Sequence, residues 1–162
     1  MPPTTPLPTA LEVRELLEGL LGRDVDVEVT STGADPRKHP GAMVGVYVDD
    51  TMQVRALLLF DLALSASLGA AIGLLGVRIA EDVVRSELLS PALYDNASEI
   101  LNVGATLFNV EGAPHVRLAE AYAPREIVPS DIDSRLRGML PRMDLDVVVS
   151  GYGSGKLSVV TV

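Results

Sequence analysis

Residues 91–109 read P-A-L-Y-D-N-A-S-E-I-L-N-V-G-A-T-L-F-N. Apolar or small residues fall at Leu93, Ala97, Ile100, Leu101, Gly104, Leu107 and Phe108, the recurrence of a helix with one buried face. The spacing predicts a helix over Pro91–Asn109. At about 100° per residue, Asp95, Glu99, Asn102, Thr106 and Asn109 gather on the opposite side. Asp95, Glu99 and Asn102 follow one another at i+4 and i+3, so two carboxylates and a carboxamide can touch one partner. A solvated outer face is the ordinary reading of such residues. Context argues for more. Asn102, a mediocre helix former, sits inside the pattern, and Gly104-Ala105 just after it suggests close packing on the buried side.

The rest of the chain is suited to a core for this helix. Its 162 residues make one domain, and 48% are hydrophobic, supplied by Leu, Val and Ala rather than aromatics. A formal charge of −9 excludes a nucleic-acid phosphate backbone as main partner. There is no cysteine, hence no disulfide or thiol chemistry, which fits a cytoplasmic protein. Residues 1–8 (M-P-P-T-T-P-L-P) lack the basic and apolar segments of a signal peptide and read as a short disordered arm, leaving 9–162 as a single domain.

Within that domain, Thr9 and Glu12 form a capping box, and Val13, Leu16, Leu17, Leu20 and Leu21 a buried stripe that Gly22 ends. Asp24–Thr30 alternates as a half-exposed strand, and a loop runs to Gly41. Strands over Met43–Val48 and Gln53–Phe60 flank a hairpin turn at Asp49–Met52. Ala56–Val77 is almost wholly apolar and long enough to raise a membrane span. Asp61 instead ends a strand and caps a helix whose Gly- and Ala-rich run suits close packing on a sheet. A short helix over Ala80–Leu89 stops at Ser90-Pro91. Beyond the central helix come a strand at His115–Ala123, a helix capped by Ser130 and running to Leu140, and strands at Met143–Val149 and Lys156–Val162. The order describes an α+β domain with helices packed on one β-sheet. The apolar last strand, Leu157–Val162, reads as an edge able to extend a sheet across two chains.

Other signals fail. Gly151–Lys156 (G-Y-G-S-G-K) imitates a phosphate-binding loop, but Ser150 and Leu157 occupy positions that need Gly and Ser/Thr, and a strand follows instead of a helix. His39 and His115 are the only histidines and have no metal-ligand spacing.

Asp95-x3-Glu99-x2-Asn102, with Gly104-Ala105 behind it and Pro124 one residue short of the expected spacing, resembles the motif of the CheC/CheX/FliY chemotaxis phosphatases. The motif occurs once, as in CheX; Asp61, Ser65 and Leu68 do not repeat it. The resemblance implies a CheX-like homodimer in the cytoplasm that hydrolyses the aspartyl phosphate of a CheY-like phosphorylated response regulator. By that likeness Asn102 orients the attacking water, Glu99 pairs with the regulator's lysine, and Asp95 adds a partner contact. The Mg2+ belongs to the regulator, so no cofactor or metal is expected in this chain, nor a nucleic-acid or membrane partner. The alternative is a non-catalytic dimeric module that docks on a regulator or another protein.

Overall fold

The computed structural model describes residues 3–162. Helix α1 (Ala10–Leu21) opens with the reciprocal cap: the Glu12 N–H donates to Thr9 Oγ1 and the Thr9 N–H to the Glu12 carboxylate, each at 3.1 Å. Gly22 closes it in the left-handed region, at φ 64°. Strands β1 (Val25–Val29), β2 (Ala42–Val48) and β3 (Val54–Asp61) follow. Asp49 organises the β2–β3 turn, accepting from Thr51 and Gln53 and from Arg55 Nε at 2.7 Å. Hydrogen bonds from Thr51 and Arg55 hold its carboxyl well below the usual range.

Three helices come next: α2 (Leu62–Ile72), α3 (Val77–Ser86) and α4 (Pro91–Val103), the last continued by a 3₁₀ turn over Gly104–Leu107. Strand β4 (Arg117–Tyr122), helix α5 (Ser130–Arg137) and strands β5 (Arg142–Val149) and β6 (Gly153–Thr161) complete the chain. The six strands form one sheet in the order β1-β5-β6-β3-β2-β4, every pair antiparallel.

Alternation along the strands divides the core between two faces. Met43, Tyr47, Leu58, Phe60, Leu145, Val147, Leu157 and Val159 join Val13 and Leu17 of α1, Leu64 and Leu68 of α2, and Ala97, Ile100 and Leu101 of α4. Val44, Val46, Leu57, Leu59 and Val160 point the other way, where Ile132 and Leu136 of α5 cover them. The expected α+β architecture is present, with α5 alone on the second face.

Several local expectations change. Strand β6 lies between β5 and β3, so it is not an edge, and pairing across two chains through Leu157–Val162 is ruled out. Leu157–Thr161 is buried at every position, Ser158 and Thr161 included, as befits a strand covered on both faces. The free edges are β1 and β4. Helix α3 begins at Val77 rather than Ala80, since Gly76 starts it with no side-chain cap. Helix α5 is preceded by Pro129 as cap and stops at Arg137, before Gly138. Of the expected arm, residues 1–2 lie outside the described residues. Thr5 and Pro8 are buried and Leu7 packs on the core, so this end of it is docked.

Helix α2 is the hub. Every residue from Leu64 to Ala71 is buried, between the sheet and its neighbours α1, α3 and α4. Two glycines permit the close fits. At Gly155, a β-carbon would sit 2.5 Å from Leu64 N and 2.7 Å from Leu64 Cβ. Gly155, the last glycine of the stretch that imitates a phosphate-binding loop, therefore lets α2 begin directly against β6. At Gly69, a β-carbon would lie 2.7 Å from the Leu93 carbonyl oxygen. Backbone cannot yield as a side-chain tip can, so Gly69→Ala must push α2 and α4 apart. The expected cost is about 1–3 kcal/mol, the usual penalty of overpacking; chemical denaturation of parent and variant measures it.

Candidate functional site

Three polar contacts fix α4 to its surroundings. On the α2 side, Asn96 Nδ2 donates to the Gly69 carbonyl at 3.0 Å. Toward the sheet edge, the Tyr94 hydroxyl donates to the Ala121 carbonyl of β4 at 2.9 Å. Beneath the last turn, the Tyr47 hydroxyl of β2 donates to the Leu101 carbonyl at 2.5 Å. Ser90 caps the start by accepting from the Leu93 N–H, and Pro91 stands where a missing N–H costs nothing. Leu93, Ala97, Ile100 and Leu101 are all buried, as the stripe predicted.

Asp95, Glu99 and Asn102 project from the opposite side, all three exposed. The side-chain hydrogen bonds of α4 are made by Tyr94, Asn96 and Ser98. Among the described residues, none of the three exposed groups has a hydrogen bond or ion pair. Neighbours at i+3 and i+4 have their β-carbons about 5–6 Å apart, so the carboxylates and the carboxamide form one continuous polar patch with every donor and acceptor available. The hollows of this surface lie elsewhere: beside the 31–38 loop with Arg142 and Asp144, between α2 and α3 near Tyr152, and next to Ile127. None of these is lined by Asp95, Glu99 or Asn102.

The helix is shorter than its sequence pattern. It ends at Val103, so Asn102 stands in its last turn rather than mid-helix. Thr106 is exposed on the 3₁₀ turn as expected. Asn109 is not part of the outer face: its Nδ2 donates to the Val116 carbonyl at 2.9 Å and its Oδ1 accepts from the Val116 N–H at 2.7 Å. It clips the loop that leads into β4. Pro124 lies in the turn after β4, packed against Gly41. No group of three or more His, Asp or Glu side chains among the described residues is arranged to hold a metal, and no helix of the described residues is long and apolar enough to cross a membrane.

Tyr47, Tyr94 and Asn96 were not legible as supports of the site. Tyr47 left one clue: it carries the only hydroxyl in the strand A-M-V-G-V-Y-V, and a buried tyrosine hydroxyl needs an acceptor.

No protein-family model matches the sequence, and no curated protein matches it. The backbone is similar to solved structures. One is the middle domain of FliM from H. pylori, with a TM-score of 0.57 and 9% identity over 94% of this chain and 84% of that one. Another is FliY from Thermotoga maritima, with a TM-score of 0.52 and 15% identity over 91% of this chain and 81% of that one. The fold is that of the FliM middle domain and FliY. CheX from the Borrelia burgdorferi CheX–CheY–BeF3–Mg2+ complex also matches, with a TM-score of 0.44 and 8% identity over 94% of this chain and 97% of that one. The FliY-like fold thus rests on FliM and FliY rather than on CheX in particular. FliM from H. pylori has also been solved in complex with FliG.

Proposed function

We propose that this chain docks on a CheY-like phosphorylated response regulator in the cytoplasm and accelerates hydrolysis of its aspartyl phosphate. One observation carries the reading: Glu99 and Asn102 stand exposed, adjacent and without intramolecular partners, on a helix fixed to the core. Hydrolysis of an acyl phosphate asks little covalent work of a protein. A water must be held in line with phosphorus and the developing charge balanced. The Asn102 carboxamide can accept from that water through Oδ1 and donate to a phosphoryl oxygen through Nδ2. Glu99, one turn back on the same face, suits pairing with a lysine beside the phosphorylation site, and Asp95 adds a contact farther along. On this reading the cleft and its Mg2+ belong to the regulator. Incubating the protein with phosphorylated regulators from the same genome, and scoring phosphate release, tests the proposal. Release no faster than the regulators' own would reject it.

A binding module is the second reading, favoured by the likeness to the middle domain of FliM, a protein solved in complex with FliG. The same patch would then hold a partner without hastening any reaction. Saturable binding of a regulator whose phosphate lifetime does not change would favour this reading over the first.

The reading includes a homodimer, joined at β4. Of the two free edges, β1 carries exposed Asp26 and Glu28 and no cation within the strand, so two copies placed there bring like charges together. Strand β4 presents exposed Arg117 and Glu120, which complement each other in an antiparallel pair. Light scattering at micromolar concentration is expected to give twice the 17.1 kDa chain mass, and a particle of 17.1 kDa would count against the dimer.

A further inference from the structure

We infer that Tyr47 is a positioning residue for Asn102, acting through the peptide unit that joins Leu101 to Asn102. This rests on the proposed role of Asn102 in hydrolysis. The Tyr47 hydroxyl donates to the Leu101 carbonyl at 2.5 Å. The carbonyl carbon of Leu101 is bonded to the nitrogen of Asn102, and the peptide is planar, so holding the oxygen holds the plane that carries the Asn102 nitrogen and α-carbon. Leu101 lies in the final turn of α4, where carbonyls begin to lose intrahelical partners. The hydroxyl reaches it from below, through the core, and leaves the outer face of Asn102 free.

Three further features converge on this contact. The pairing of β2 is irregular at Tyr47 on both sides: its register with β3 shifts between Tyr47 and Val48, and with β4 between Val46 and Tyr47. The extra residues are Arg55 of β3 and Ala119 of β4, so both neighbouring strands bend at the level of Tyr47. Gly104 gives the hydroxyl its room, because a β-carbon there would lie 3.1 Å from Tyr47 Oη and 3.0 Å from Leu58 Cδ2. The Tyr47 ring is fully buried and packs on Phe108 at 5.1 Å between centroids, tilted by 56°, so the hydroxyl has little freedom to leave. The contact bears on Asn102 directly, whereas Glu99 lies almost one turn earlier. The clamp is therefore specific to the water-orienting end of the patch.

The test is Tyr47→Phe, which keeps the ring and removes the hydroxyl. Gly104→Ala is a second variant that displaces the hydroxyl from the other side. Tyr152→Phe is the control, since it removes a comparable bond (Tyr152 hydroxyl to Leu75 carbonyl, 2.6 Å) elsewhere in the fold. At saturating phosphorylated regulator, Tyr47→Phe and Gly104→Ala are expected to slow dephosphorylation about ten-fold, because small misplacements of a reacting group are costly. Affinity for the regulator is expected to stay at the parent value in both variants, and Tyr152→Phe to turn over like the parent. A merely structural role predicts that Tyr47→Phe and Tyr152→Phe lower the melting temperature and leave turnover alike, which would overturn the inference. If the parent hastens no regulator's dephosphorylation, the phosphatase reading fails, and the clamp is still decided by NMR. The side-chain amide resonances of Asn102 should shift or broaden in both clamp variants while those of Asn96 stay in place. Unchanged Asn102 resonances in both would overturn it.

Discussion

Replacing Asn102 by alanine is expected to slow regulator dephosphorylation by about a hundred- to a thousand-fold, the usual loss when one positioned polar group is removed from a reacting site. The fold should survive, because the side chain is exposed and makes no intramolecular bond. Docking should survive too, since the proposed pairing is made by Glu99. The measurement is the lifetime of a phosphorylated regulator with parent and variant at concentrations that saturate binding. A parent and variant that accelerate equally would keep the enzyme but remove Asn102 as its water-orienting group. A parent that accelerates nothing, with every regulator tried, would end the phosphatase reading.

Glu99→Ala is expected to act on the other half of the patch, weakening the complex rather than the reaction within it. Loss of one charge-assisted pair costs about 1.5–3 kcal/mol, roughly ten- to a hundred-fold in affinity. Titration against a cognate phosphorylated regulator reads this directly, and turnover at saturation should change far less than binding. An unchanged affinity would take Glu99 out of the interface. A large fall in melting temperature would mean that the residue supports the fold, contrary to its exposure on the face opposite Ile100 and Leu101.

Much of this was readable in the sequence, for reasons of periodicity. The α4 stripe repeats at the helical period, and every apolar position named in it is buried. The Thr9–Glu12 box is a local rule with a local outcome. Misreadings arose where local pattern and global position part. Leu157–Val162 is apolar at every position but Ser158 and Thr161, and whether such a strand lies at an edge or in the centre depends on which strands pair with it. The start of α3 was hidden because Leu74, Leu75, Val77 and Ile79 prolong the apolar run while Gly76 offers no capping side chain. The end of α4 was hidden because the 3₁₀ turn keeps Leu107 and Phe108 buried, so the apolar pattern continues past the last α-helical residue. For the site, three exposed residues were legible from their angular position. The hydroxyls and the carboxamide that fix the helix beneath them were not, because their partners are backbone carbonyls 27 to 54 residues away.

The burial of α2 on all sides has a consequence for how the patch must work. Helix α4 rests on a helix with no polar face to show to water, so lifting α4 would open its contact at Gly69 and uncover Leu62, Ala66 and Ala70, among which Leu93 is buried. At about 25 cal/mol per Å² of apolar surface, even a partial opening is expensive. The patch therefore has no hinge. On the proposed function it would meet a regulator as a rigid element, and any adjustment on binding would fall to the regulator.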